Sequence, residues 1–243
     1  MIFKNKKLRN LLLIFLIIVL STFNYFFSSG HGDFSNKYFS VETNYRRGLT
    51  ILRLQKNAFA YSVDNTDHKA DFYLNASFFH EDGSPIGLVK IKGKIWNPKE
   101  RWGGFFNTDV SGNPNIIGNP DFFPSSVQTR YVGIINGQIN NQLAKRTLNS
   151  RKVYRSLLGL QDNGDLMIIH TTRWGYISMH DLCVYGKKQG LKNALIFDGG
   201  TSIDLGIRTP EGNYNFRSIP NIVKSFIGIK KPKVYITGKL KKI

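Results

Sequence analysis

Residues 178–202, SMHDLCVYGKKQGLKNALIFDGGTS, carry the clearest structural signal in the chain. Met179, Leu182, Cys183 and Gly186 fall at helical spacing i, i+3, i+4 and i+7. Ser178 stands where an N-cap belongs and Gly190 where a left-handed C-terminal residue belongs, so a helix is expected between them. Leu191, Lys192 and Asn193 then lead into Ala194–Phe197, a short apolar run that reads as a buried strand ending in Asp198, Gly199 and Gly200. No other stretch gives so convincing a helix. Working outward, runs rich in β-branched and aromatic residues occur at 38–42, 50–54, 58–63, 72–76, 88–91, 127–135, 153–158 and 166–169. Turn residues such as Asp64-Asn65 and Asp82-Gly83 separate them. Strands outnumber helices and do not alternate with them. The expected fold is therefore α+β: a mixed, strand-rich single domain with few helices, rather than a doubly wound sheet.

Two stretches depart from this pattern. From Trp96 to Ser126 the sequence loosens into Asn, Pro and Gly, which predicts a long functional or mobile loop. Its Trp96, Trp102, Phe105 and Phe106 suit either sugar stacking or a cover over the core. At the N-terminus, Lys4, Lys6, Lys7 and Arg9 precede the unbroken apolar run Leu11–Leu20, which continues less purely to Phe27. A cationic start before about 7–15 apolar residues describes a secretory signal, whereas a full span needs about 20. Residues 1–30 are thus expected to be a signal peptide or membrane anchor, with the lysines on the cytoplasmic side. Residues 31–44 are read as a linker that includes the first β-like run, and 45–243 as the domain. No cysteine lies near the apolar run, which excludes a lipoprotein.

Composition narrows the function. The 243 residues contain 34 Lys+Arg against 16 Asp+Glu, a formal charge of +18. A single cysteine excludes an internal disulfide framework, and no zinc-finger spacing is present. The charge is concentrated at the ends, with four basic residues in 1–10 and seven lysines in 218–243 and no acid in either. The middle, 11–217, carries only +7. A nucleic-acid binder would show a basic stripe on a recognisable motif, and none appears. The lysine-rich C-terminal stretch reads as a solvated or lipid-facing surface.

Three segments hold residues suited to chemistry. Asp198-Gly199-Gly200-Thr201-Ser202 puts a carboxylate at a strand end beside a backbone free to approach a ligand closely, and the N–H groups of such a turn can cradle an anion. The plain alternative is a tight turn with Asp198 bonded to its own backbone. Asn75 lies on a strand running into Phe78-Phe79, placed to bond a substrate hydroxyl or to satisfy buried backbone groups. Asn75-Ala76-Ser77 also fits the N-glycosylation pattern. Arg155, on an apolar strand before the Asp162–Asp165 turn, needs an anionic partner, either a structural carboxylate or a substrate phosphate. His80, His170 and His180 are scattered, which suits satisfied or exposed side chains better than metal ligands.

Taken in order, Asn75 with Phe78-Phe79, Pro85-Ile86-Gly87, Val127-Gln128-Thr129, Arg155 to Gly159, a helix, and Phe197 to Ser202 resemble the phosphodiester glycosidase family over about residues 45–236. This chain has Arg130-Tyr131 where the family pattern has Gly-Pro, and Thr201 where it often has a third glycine. The resemblance implies an exported or anchored hydrolase acting on a sugar-1-phosphodiester. In such a site Asp198 is the candidate nucleophile or general base, with Asp204 in reserve. Arg155 is the candidate phosphate clamp, helped by the backbone of Gly199 and Gly200. Asn75 is placed among the catalytic residues, and Ser202, Phe79 and Arg130 are expected to contact substrate. No cofactor or metal site is implied, although Asp198 and Asp204 could contribute oxygens to a hard cation that others complete. The expected partners are a phosphate-linked saccharide and, through the N-terminal segment, a membrane, with no nucleic acid. The competing expectation is a non-catalytic envelope protein that binds phosphate-containing polysaccharide.

Overall fold

The computed structural model describes residues 33–65, 70–76, 78–80, 82, 84–145, 151–172, 175–197, 199, 202–217 and 234–241, with residues 10, 14, 15, 18 and 19 of the N-terminal run. In chain order come β1 (Phe34–Ser35), β2 (Phe39–Asn44), β3 (Leu49–Leu54), β4 (Phe59–Asp64) and β5 (Phe72–Asn75). The hairpin β6 (Phe78–Phe79) and β7 (Pro85–Ile86) precedes β8 (Val89–Ile91), β9 (Lys94–Asn97), β10 (Gly104–Thr108) and β11 (Pro114–Ile116). Then follow β12 (Ser125–Thr129), β13 (Tyr131–Ile135), β14 (Gln138–Ile139), β15 (Ser156–Leu160) and β16 (Leu166–Thr171). The helix Met179–Lys188 leads to β17 (Asn193–Phe197), β18 (Asp204–Thr209), β19 (Gly212–Arg217) and β20 (Tyr235–Leu240).

These strands form three larger sheets beside the β6–β7 hairpin, and their pairings are antiparallel. The first runs β1-β2-β3-β16-β15-β17-β13-β14, the second β11-β10-β12-β8-β9, and the third β19-β18-β5-β20-β4. The first sheet is covered on both faces, which is why its central strands read as continuous apolar runs rather than as alternating ones. Ala194 and Ile196 of β17 point with Leu157, Met167 and Ile169 toward Met179, Leu182 and Cys183 of the helix. Leu195 and Phe197 point the other way, into a core shared with Phe72, Leu74 and Leu205 of the third sheet and Val89, Phe106 and Val127 of the second. Burying each of these side chains contributes roughly 1.5–3 kcal/mol.

The helix has the ends its sequence predicts. Ser178 Oγ accepts the Asp181 N–H at 3.0 Å. At the other end Gly190 has φ +92°. The Leu191 N–H reaches the Gly186 carbonyl and the Gly190 N–H the Lys187 carbonyl, the paired bonds of a Schellman termination. Gly186 also lets the helix sit close to the sheet, because a Cβ there would lie 2.5 Å from Leu157 Cδ2.

Several expectations are corrected. The stretch 96–126 is no long loop: it supplies the end of β9, all of β10 and β11, and the start of β12. Its Phe106 is fully buried in the core, while Trp96 is exposed. The linker reading of 31–44 fails from Phe34 onward, since β2 pairs along its whole length with β3 and buries Phe39 and Val41. The run 127–135 breaks at Arg130 into β12 and β13, which lie in different sheets. The ladder expected from Val153 begins at Ser156, with Val153 bridging only to Ile177. The C-terminal lysine-rich stretch is not wholly surface, because β20 inserts between β5 and β4 and buries Tyr235 and Ile236. Among the described residues no helix is long and apolar enough to cross a membrane. Most of the anchor expected at 1–30 lies outside the described residues.

Candidate active site

The ends of β5, β15, β17 and β18 meet at one rim. Ser156, the first residue of β15, lies opposite both Phe197, the last of β17, and His170 of β16. Asp198, Gly200 and Thr201 lie outside the described residues, but the positions on either side of them are fixed. Gly199 backs onto the residues just before β15: a Cβ there would lie 2.4 Å from the Tyr154 carbonyl oxygen and 3.3 Å from Arg155 Cα. No side chain fits, which gives this glycine its physical reason. The Ser202 N–H donates to the Gly199 carbonyl at 3.2 Å, closing the turn into β18.

Arg155 is held by its own backbone. Its N–H donates to Thr171 Oγ1 at 3.0 Å, and its carbonyl accepts the Thr171 N–H at 3.0 Å. The side chain is nearly buried, and Nη2 donates to the Arg151 carbonyl at 3.2 Å. A guanidinium presents its N–H groups in one fixed plane, a geometry that matches the oxygens of a phosphate. Tyr154 beside it packs against Tyr176 with ring centroids 5.0 Å apart.

Asn75 ends β5 and is fully buried. Its Oδ1 accepts the Asp204 N–H at 3.0 Å, tying β5 to the start of β18. Among the described residues Nδ2 has no hydrogen-bond partner, which leaves one buried donor for another acceptor. This burial rules Asn75 out as a glycan acceptor. Asp204, the reserve acid, is committed elsewhere: Oδ1 accepts Arg217 Nε at 2.8 Å, and Arg217 Nη2 donates to the Tyr73 hydroxyl at 3.2 Å. Burial pulls the Arg217 pKa down, but the Asp204 charge and hydrogen bond outweigh it and raise the pKa overall. Asp204 therefore positions the turn, and Asp198 remains the candidate reacting carboxylate.

Asn75 thus bonds Asp204, Ser202 bonds Gly199, and Gly199 lies against Arg155, with Ile203 joining Ser202 to Asp204 along the chain. Phe79 and Arg130 belong to neighbouring elements. Phe79 pairs with Pro85 in the β6–β7 hairpin, whereas Phe78 meets Tyr131 edge-on with ring centroids 5.7 Å apart. Arg130 is exposed between β12 and β13, and the preceding Thr129 Oγ1 donates to the Ile196 carbonyl at 2.5 Å. Gln128 is structural. Its Oε1 accepts the N–H groups of Leu88 and Glu100, each at 2.9 Å, and its Nε2 donates to the carbonyls of Glu100 and Trp102. His170 is fully buried, with Nδ1 against the Thr171 carbonyl and Nε2 2.9 Å from the Tyr214 hydroxyl. Burial lowers its pKa to about 4, opposed by the Thr171 contact, so the ring is neutral at pH 7. Among the described residues no group of three or more His, Cys, Asp or Glu side chains could hold a metal.

Sequence reasoning did not select Thr171, Tyr73 or Arg217. The Arg217 signal was available in the alternating segments 204–209 and 212–217, whose hairpin register puts Arg217 opposite Asp204.

A strand-rich domain of three packed sheets, with a cationic and amide-bearing rim where the strands end, defines the class. The family model for phosphodiester glycosidases matches residues 68–225, and the chain belongs to that family. The fold is similar to the catalytic domain of zebrafish N-acetylglucosamine-1-phosphodiester alpha-N-acetylglucosaminidase, a structure auto-inhibited by its pro-peptide. The TM-score is 0.59 at 13% identity, over 88% of this chain and 87% of that one. A hypothetical protein from Synechocystis is similar too, with TM-score 0.59 at 11% identity over 84% of this chain and 62% of that one. At these identities the likeness is one of fold. No curated protein matches the sequence.

Proposed function

We propose that the chain hydrolyses a sugar-1-phosphodiester, releasing the free sugar and a phosphate monoester. Water adds to the sugar C1 as the bond from C1 to the bridging oxygen breaks, and that electron pair leaves on the phosphate. The leaving phosphate is already a stable anion, so the site has less need of a general acid than one expelling an alcohol. Its main tasks are to hold the phosphate and to stabilise an oxocarbenium-like sugar. Arg155 clamps the phosphate, with the backbone of Gly199 and Gly200 beside it. Asp198 serves as nucleophile or as the base that takes the proton of water. Ser202 orients the sugar, and Asn75 supports it by holding the start of β18 through the Asp204 N–H.

The observation that supports this reading is the close approach of Gly199 to the backbone of Tyr154 and Arg155, the latter the only nearly buried arginine among the described residues. The test is hydrolysis of a panel of sugar-1-phosphodiesters by the full-length protein. Asp198→Asn is expected to slow turnover by about 10²–10⁴-fold, and Arg155→Gln by about 10²–10³-fold. Full turnover by a folded Asp198→Asn protein would remove the carboxylate from the mechanism.

Residues 1–30 are proposed to carry the domain across the cytoplasmic membrane and either to be cleaved or to anchor it there. The support is the apolar run behind four basic residues. Cell fractionation with and without residues 1–30 tests it: an unchanged cytosolic distribution would overturn the export reading.

A further inference from the structure

A cavity of about 440 Å³ is lined by Trp102, Gly103, Arg130, Tyr131, Asn140 and Gln142 among others. Its size falls within the roughly 300–1,000 Å³ of small-molecule sites. Two links tie it to the rim already described. Tyr131 packs against Phe78, three residues beyond Asn75, and Thr129, next to Arg130, bonds the backbone of β17 two residues before Asp198.

The lining is chemically selective. The Arg130 guanidinium lies 5.8 Å from the Trp102 ring centroid and 5.7 Å from that of Tyr131. Aromatic contact engages the face of a guanidinium and leaves its in-plane N–H groups for bidentate bonds to an oxyanion. No acidic side chain lines the cavity, and among the described residues Arg130 has no carboxylate partner. The ring faces of Trp102 and Tyr131 suit the C–H surface of a sugar ring, and the Gln142 amide suits its hydroxyls. An arginine stands here in place of the glycine of the family pattern, so the cation is a feature of this chain.

We propose that this cavity is a saccharide subsite for a sugar that carries an oxyanion of its own, a carboxylate or a phosphate ester, in addition to the phosphodiester held by Arg155. It rests on the reading of the active site given above. The substrate is then an acidic polysaccharide with a second charge one or a few sugar units from the scissile bond.

The test is a titration of the full-length protein in detergent at 150 mM salt with a uronate trisaccharide, a phosphorylated trisaccharide and the neutral trisaccharide. One or both charged forms are expected to bind at least about tenfold more tightly than the neutral form, and the tighter of the two identifies the oxyanion. Arg130→Gln is expected to reduce that binding to the neutral level, Arg130→Lys to restore part of the preference, and Trp102→Ala to weaken all three ligands. Arg130 is exposed, so the variants are expected to keep the wild-type Tm. Equal binding of all three sugars, or an undiminished preference in Arg130→Gln, overturns the subsite. Hydrolysis of a neutral sugar-1-phosphodiester is measured alongside. Hydrolysis without charge preference sinks the subsite alone, whereas charge preference without hydrolysis sinks the reaction and leaves the subsite standing.

Discussion

Gly199 is the residue on which the candidate site turns, because its Cα lies against the backbone of Tyr154 and Arg155 just before β15. A methyl group there must displace the Tyr154 carbonyl, which Thr171 fixes indirectly through Arg155. Gly199→Ala is therefore expected to cost about 1–3 kcal/mol by overpacking and to lower kcat/KM on a sugar-1-phosphodiester at least tenfold. Thermal unfolding and steady-state kinetics check both. His170 gives a pH prediction. Its pKa is about 4 in the folded protein and roughly 6.5 when unfolded. Between those values the unfolded chain binds more protons, so stability is complete above pH 6.5 and falls as pH drops toward 4. The loss is on the order of 3 kcal/mol. Urea unfolding at pH 7 and pH 4.5 measures it, and His170→Gln is expected to flatten that limb.

The elements differ in how much the sequence discloses about them. The helix Met179–Lys188 and β17 obey local rules: an apolar stripe, a serine cap, a glycine termination and a run buried on two faces. Ser178→Ala is expected to destabilise the protein by about 1 kcal/mol while leaving kcat/KM within about twofold of wild type, as measured by denaturation and kinetics. By contrast β12 (SSVQT) hides its nature. All five residues are buried but only Val127 is apolar, and two of the polar side chains are tied in by hydrogen bonds: Gln128 bonds the backbone of Leu88, Glu100 and Trp102, and Thr129 bonds β17. Hydrophobic periodicity has no way to register a strand buried through its hydrogen bonds. The same holds for β10, where buried Asn107 donates to the Gly118 carbonyl. The site was partly legible for a related reason. Asn75, Arg155 and the Asp-Gly-Gly segment sit in recognisable local motifs, but the Asp204–Arg217 pair exists only once β18 meets β19.

At the scale of the whole molecule, the strand-rich class followed from counting runs, whereas the sheet order did not. Strand partners lie far apart in the chain, as in β3 with β16 and β20 with β4, and no local pattern encodes such pairings. The third sheet makes a clear prediction. β4 joins it only through β20, and β20 is also the partner of β5 on that side. A chain stopped at residue 233 leaves both strands with an unpaired edge. It is expected to be insoluble or proteolytically labile, and adding a peptide spanning 234–243 is expected to recover folded protein and turnover. Unaided solubility and activity of the shortened chain would contradict this.

The position of β20 also sets an order of events in time. A ribosome delivers β4 and β5 long before the strand that must lie between them, so Asn75 emerges on a strand whose partner does not yet exist. The rim can be completed only after the last described strand has left the exit tunnel. Every earlier nascent chain consequently carries an open seam between β4 and β5, available to chaperones.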